Sequence, residues 1–175
     1  MGYNFRMSEV HGAVGLIQLA RLDEYITARR ANAHRLTELL SGVAGVIPPY
    51  EPPEVKHVFY KYILRLDREQ LQTSAKDFVQ ALTAEGVRCS RRYPTPLHQQ
   101  PVFVEQRGFG LTTAPFTSPW YPGDPHYSSP LSNAEKLPED LITLRMSPNM
   151  KEIDLQDIAE AVRKVADAFR DDPDK

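Results

Sequence analysis

Fifteen prolines are spread unevenly along the chain, and their placement restricts where regular structure can form. Proline locks φ near −65° and carries no N–H, so it interrupts helix interiors and central strands. The prolines gather in three stretches, Pro48 to Pro53, Pro94 to Pro101 and Pro115 to Pro130, which mark loops and leave helices and strands to the segments between. At 175 residues the chain fits one domain of ordinary size, long enough to bury a core without disulfides or a structural metal.

Periodicity supplies the elements between the loops. Ser8 to Ala20 carries Val10, Val14 and Ile17 with the small residues Gly12, Ala13 and Gly15, a helix that allows close packing. Leu22 to Leu40 places Leu22, Tyr25, Ile26, Ala33, Leu36 and Leu40 on one helical stripe, with Arg29, Arg30 and Arg35 pointing elsewhere and Gly42 as its stop. From Val58 to Leu66 the pattern alternates, with Val58, Tyr60, Tyr62, Leu64 and Leu66 on the apolar face of a half-buried strand. Ser74 is positioned to cap a helix whose Asp77 reaches back to it; Ala75, Phe78, Val79 and Leu82 form its apolar face and Gly86 ends it. Val87 to Arg91 is a short strand and Leu141 to Met146 another. Between them, Tyr93 to Pro130 is a loop too long to be a mere connector. Asp154 is expected to cap a final helix bearing Leu155, Ile158, Ala159, Val162, Val165, Ala166 and Phe169 on one face. This order predicts an α/β chain of the α+β type: two leading helices, then a small antiparallel or mixed sheet covered by helices.

Composition narrows the function. A net charge of −2 with 25% charged residues offers no broad cationic surface for nucleic acid. The lone Cys89 cannot form an internal disulfide, and a reducing cytoplasm is the simplest setting. Apolar runs fall short of the roughly 20 residues that span a bilayer, and no signal pattern opens the chain. Phosphate-loop, nucleophile-elbow and HExxH motifs are absent, and His11, His34, His57, His98 and His126 lack metal-ligand spacing. Carboxylates such as Glu38, Glu51, Glu139 and Asp140 fit solvated faces. Two segments stand apart. In Gly2-Tyr3-Asn4-Phe5-Arg6-Met7-Ser8-Glu9, Asn4 and Arg6 precede a helix start; a guanidinium fork, an amide and a helix dipole suit an anion, while a plain helix cap with an exposed arginine also accounts for them. In Arg91-Arg92-Tyr93-Pro94-Thr95-Pro96-Leu97-His98-Gln99-Gln100-Pro101, a proline-stiffened loop presents a phenol and an imidazole. These suit a hydroxyl-rich ligand, while spacing alone favours a turn in which Tyr93 packs and His98 is solvated.

The run GYNFRMSEVHGAVGLIQLARLDEYITARR resembles the GYNxRMSExxAAxxxxQLxxLDxxxxxRR stretch of the DegT/DnrJ/StrS aminotransferases. RYPTPLHQQPVF resembles that family's YxxPLHxxPxF loop, and NAEKLPEDLITLRMSPNMKEIDLQDIAEAVRKV resembles its closing region. The resemblance covers nearly the whole chain in the family's order. It implies the C-terminal part of a fold-type-I, pyridoxal 5'-phosphate enzyme that works as a homodimer and moves an amino group from glutamate or glutamine to a keto sugar, carried as a nucleotide-sugar, or to a keto-cyclitol. It further implies an interdomain helical segment over residues 1–42 and a small C-terminal domain over 43–175, with the large cofactor-binding domain and its Schiff-base lysine upstream. None of Lys56, Lys61, Lys76, Lys136, Lys151, Lys164 and Lys175 stands in that lysine's context, so no catalytic residue and no metal ligand is assigned. Asn4 and Arg6 match the positions that reach the cofactor phosphate of the neighbouring subunit; Tyr93 and His98 match the loop bordering the sugar. A non-catalytic remnant or partner-binding module, whose helices from Ser8 to Leu40 expose apolar surface, is an alternative expectation, as is a sugar dehydratase of the same family. The chain departs from the pattern at Gly12-Ala13, where the family has Ala-Ala, and at Leu144-Arg145, where it has Leu-Pro. Thr112 to Tyr127 resembles an insertion found in some members.

Overall fold

The computed structural model describes residues 5–110, 112–116, 123 and 130–170. In chain order the elements are α1 (Glu9–Ala20), α2 (Leu22–Leu40), β1 (Val46–Ile47), β2 (Tyr62–Leu66), α3 (Ala75–Ala84), β3 (Cys89–Arg91), α4 (Pro101–Val104), α5 (Ser132–Lys136), β4 (Leu141–Leu144) and α6 (Glu152–Phe169). Single 3-10 turns lie at Leu97–Gln99 and Leu137–Glu139. The sheet has the order β1-β2-β4-β3 and every neighbouring pair is antiparallel.

Strand alternation decides which face is covered. On β2 the side chains of Tyr62, Leu64 and Leu66 are buried, as are Ile142 and Leu144 on β4. Against this face pack Ala33, Leu36 and Leu40 of α2, Phe78 and Leu82 of α3, and Leu155, Val162 and Val165 of α6, forming one core. The α6 stripe falls at the predicted spacing, with Leu155, Ala159, Val162, Val165 and Ala166 buried. The Ser74 cap is also as expected: its hydroxyl accepts from the Asp77 N–H at 3.2 Å and donates to the Asp77 carboxylate at 2.7 Å. Burial lifts the Tyr62 phenol to about 12, even though Thr37 bonds it.

Several boundaries differ from the periodicity. The segment from Val58 to Lys61 is not strand: Phe59 takes φ 45° and is buried, while Val58 and Tyr60 are exposed. The cause is local, because the Glu51 carboxylate accepts from the His57 N–H at 2.7 Å and His57 Nδ1 accepts from the Phe59 N–H at 2.8 Å, turning the chain before β2 begins. The predicted strand from Val87 shortens to Cys89–Arg91, because the Val87 N–H is still engaged by the Leu82 carbonyl at the end of α3. β4 stops at Leu144, opposite the first residue of β2, so Met146 is buried outside the ladder. Asp154 is not the cap of α6. It sits one turn inside and its carboxylate accepts from the Lys151 N–H at 2.7 Å, so the helix starts at Glu152. The long loop region contains the Leu97–Gln99 turn and α4. β1, α5 and the Leu137–Glu139 turn were not anticipated; each is too short for a periodic signal.

The two leading helices differ. α1 has no buried residue, and Val10, Val14, Leu16, Ile17 and Leu19 are all exposed. α2 buries one stripe, with Ala33, Leu36 and Leu40 anchored in the core, while Ala31, His34 and Glu38 remain exposed. Among the described residues, no helix is long and apolar enough to cross a membrane.

Candidate functional site

At the start of α1, Ser8 is the N-cap, its hydroxyl accepting from the His11 N–H at 3.3 Å and lying 2.9 Å from His11 Nδ1. Arg6 stands two residues before the cap and is exposed, on the side of the helix where unpaired N–H groups and the dipole favour an anion. Asn4, its companion in the sequence, lies outside the described residues.

The second segment leaves β3 through Arg91. Its guanidinium donates to Glu139 at 2.8 Å, tying the loop to the turn that precedes β4. Tyr93 follows at φ 52°. That is a left-handed conformation in a bulky residue directly before proline, where steric clash already restricts the backbone. Its ring is 70% exposed and lies under the Arg92 guanidinium, 5.2 Å from centroid to Cζ. Tyr93 does not pack into the turn; the strained backbone presents the phenol outward. With Arg91, Arg92, Pro94, Thr95 and Gln100 it lines a hollow of about 310 Å³.

His98 behaves in the opposite way. Its side chain is largely buried, with Nε2 3.0 Å from a Glu135 carboxylate oxygen. That oxygen also accepts from the Leu131 N–H at 3.2 Å. The His98 hydrogen bond, followed by the one from Leu131, holds the Glu135 carboxyl below its ordinary value. Leu97, His98, Phe103, Leu131 and Ala134 surround a mainly apolar hollow of about 290 Å³. Tyr93 and His98 thus line separate hollows.

Sequence reasoning missed the partners that fix this loop. Glu135 and Glu139 lie some forty positions downstream in a polar run whose spacing gives no sign of them. It also missed Glu51, which is not a solvated carboxylate. Glu51 accepts from Arg30 at 2.5 Å, lies 2.7 Å from His34 Nε2 and accepts from the His57 N–H, and these bonds hold it at about 2. Asp140, likewise expected in solvent, faces Arg68 at 3.7 Å. Among the described residues no three His, Cys, Asp or Glu side chains are grouped to hold a metal ion.

The candidate features are therefore a guanidinium at a helix start, a strained exposed phenol, and an imidazole fixed by a carboxylate. The donor set at Arg6 fits a phosphate. Lys164 is paired with Glu85, and Lys61 lies over the Tyr60 ring.

The chain is similar in sequence and in structure to known proteins. Residues 1–124 match the model of the DegT/DnrJ/EryC1/StrS aminotransferase family. The chain is 30% identical over 173 residues to a pleiotropic regulatory protein of Geobacillus stearothermophilus, covering 97% of this chain and 39% of that protein. It is 29% identical over 165 residues to the UDP-N-acetyl-3-dehydro-alpha-D-glucosamine 3-aminotransferase of Acidithiobacillus ferrooxidans, covering 94% of this chain and 37% of that one. Among solved structures, S. venezuelae DesV in complex with a ketimine intermediate superposes with a TM-score of 0.74 at 25% identity, over 98% of this chain and 39% of that one. Helicobacter pylori PseC, an aminotransferase of pseudoaminic acid biosynthesis, shares the fold with a TM-score of 0.75 at 21% identity, over 97% and 40%. The chain spans about two fifths of the length of the relatives it matches. With the GYNFR segment and the Tyr93 to His98 loop both inside the matched residues, the chain belongs to the DegT/DnrJ/EryC1/StrS aminotransferase family.

Proposed function

We propose that this chain is the C-terminal part of a pyridoxal 5'-phosphate-dependent sugar aminotransferase, which moves an amino group from glutamate or glutamine to a keto sugar carried on a nucleotide, or to a keto-cyclitol. The observation that carries the reading is the family match over residues 1–124, which includes both segments singled out for their chemistry. Residues 1–42 are the helical segment between domains, and residues 43–175 are a small domain like the C-terminal domain of fold-type-I enzymes. The exposed apolar side of α1, with Val10, Val14 and Ile17, supports its being covered by a large domain or by the second subunit of a homodimer.

Within that assembly Arg6 and Asn4 hold the cofactor phosphate of the neighbouring subunit. Arg6 supplies two parallel N–H donors and Asn4 an amide donor, and the start of α1 adds its dipole. Bound pyridoxal phosphate supplies the electron-accepting ring on which an amino group is carried between donor and acceptor. The protein's share here is orientation. Tyr93 offers a phenol to sugar hydroxyls, while His98, fixed by Glu135, lines an apolar hollow that sets the shape of the sugar side.

Coexpression of this chain with a cofactor-binding domain of the family tests the proposal. Glutamate-dependent amination of a nucleotide keto sugar is expected, with Arg6→Gln lowering both cofactor retention and the rate. Absence of any amine transfer, with cofactor retention indifferent to Arg6→Gln, refutes it. Loss of water from the sugar without gain of an amine would instead identify the dehydratase chemistry.

A further inference from the structure

The turn that carries Phe59 into the core is closed by a titratable acceptor. Phe59 is 2% exposed at φ 45°, a left-handed conformation that is strained for a bulky side chain and persists only where its surroundings hold it. Its N–H donates to His57 Nδ1 at 2.8 Å. A side chain that accepts from the N–H two positions ahead has the geometry of an Asx turn, in which asparagine or aspartate ordinarily supplies the oxygen. Histidine in that place differs in one respect. Its acceptor disappears when the ring takes up a proton, because both nitrogens of an imidazolium are donors. The neutral ring therefore carries its proton on Nε2 and leaves Nδ1 for Phe59.

Two histidines touch Phe59, and their partners set them apart. The ring centroid of His57 lies 4.3 Å from that of Phe59 and the centroid of His34, on α2, lies 5.6 Å away, with Tyr62 at 6.4 Å. His34 Nε2 is 2.7 Å from Glu51, and an ionised carboxylate only accepts, so His34 donates there whether neutral or charged. Protonating His34 keeps its bond; protonating His57 at Nδ1 removes one. Glu51 stays ionised throughout the range in which histidines titrate, since Arg30, then His34 and the His57 N–H, hold its carboxyl at about 2. The remaining charged groups about the turn are cations, which cannot accept. Arg30 of α2 donates to the His57 carbonyl at 2.6 Å. Lys56, Lys61 and Arg92 line, with His57, a hollow of about 500 Å³ that Tyr60 and Tyr93 also line. His57 is exposed, so a proton reaches its ring from solvent.

We propose that His57 is a pH-sensitive latch: protonation of Nδ1 breaks the Phe59 turn, releases Phe59 from its place against His34 and Tyr62, and moves one wall of the hollow that Tyr93 also lines. The closed turn needs neutral His57, so it is complete above the histidine range and is lost as pH falls through that range. The consequence for a sugar beside Tyr93 rests on the function proposed above. The latch itself does not, because it is read without substrate.

NMR of the isotope-labelled 175-residue chain between about pH 8 and 5 tests the proposal. Imidazole nitrogen shifts follow the charge and tautomer of His57 and His34 separately. Exchange of the Phe59 amide proton, corrected for its intrinsic pH dependence, reports opening of the turn. Protection at Phe59 is expected to fall on the order of tenfold across the titration of His57, as befits the loss of a single hydrogen bond, with nuclear Overhauser contacts between Phe59 and Tyr62 weakening in step. His57→Asn supplies an Asx oxygen that does not titrate, so protection should stay flat, whereas His57→Ala should show the acid level at every pH. His34→Gln keeps a donor for Glu51 and should leave the fall in place. Protection at Phe59 that does not change across the His57 titration overturns the latch, as does the same fall in His57→Asn or its disappearance in His34→Gln. Where His57→Asn fails to close the turn, the profile of the unsubstituted chain alone decides.

Discussion

Replacing Gly45 with alanine isolates a packing constraint that joins the end of α2 to the start of the sheet. Gly45 has φ 76°, and a Cβ built there would meet Leu71 Cγ at 2.3 Å and both Leu71 Cδ atoms at 2.8 Å. Leu71 cannot retreat easily. It is fully buried, its N–H is held by the Asp67 carbonyl at 2.9 Å, and the Asp67 N–H is in turn held by the Gly45 carbonyl at 2.9 Å. The conformational part of the cost is about 1 kcal/mol for a left-handed alanine, and overpacking against a pinned leucine adds about 1–3 kcal/mol, for a total of about 2–4 kcal/mol. Gly42 provides the control: its φ is 81°, yet a Cβ there meets nothing within 4 Å, so Gly42→Ala should cost only the conformational part. Leu71→Ala destabilises by itself, by about 2–5 kcal/mol, but removes the obstructing atoms, so in that background Gly45→Ala should cost no more than Gly42→Ala. Urea unfolding followed by far-ultraviolet circular dichroism reads the midpoints, compared at constant slope. Equal destabilisation by Gly45→Ala and Gly42→Ala refutes the packing argument, as would an undiminished Gly45→Ala cost in the Leu71→Ala background.

Two further outcomes follow from buried and ion-paired side chains. Glu51 is held at about 2 by Arg30, then His34 and the His57 N–H, below the usual carboxylate range, so its contribution to folding is complete above the unfolded carboxylate value and is lost as pH falls from about 4.3 toward that figure. Glu51→Gln should therefore flatten the acid limb of the urea midpoint against pH and lower the plateau at neutral pH; parallel curves for the two proteins contradict this. Tyr62→Phe removes a hydroxyl bonded to Thr37 Oγ1 at 2.8 Å, but Thr37 still donates to the Ala33 carbonyl at 2.9 Å, so thermal or urea unfolding should show a loss of only about 1 kcal/mol. A loss several times larger would mean that the phenol holds α2 on the sheet through more than this bond.

Amino-acid order alone determined the elements whose signal is local. The apolar stripe from Leu155 to Val165 reads as a helix because every third or fourth residue must face the core, and Ser74 caps α3 because its partner Asp77 is three positions away. The family resemblance was also legible, since its motifs run in order through nearly the whole chain, of which residues 1–124 match the family. Tertiary structure decided what depends on residues distant in sequence. The alternation from Val58 gave no hint that Glu51 and His57 would turn Phe59 inward, nor did the loop show that Glu135 would immobilise His98 while Tyr93 stood out in a strained backbone. Arg145 in place of the family's proline was undecidable from its neighbours. Only the pairing of β4 with β2 and β3 sets it beside Lys61 and Arg88, because a cationic row across three strands exists once register is established and in no shorter stretch of chain.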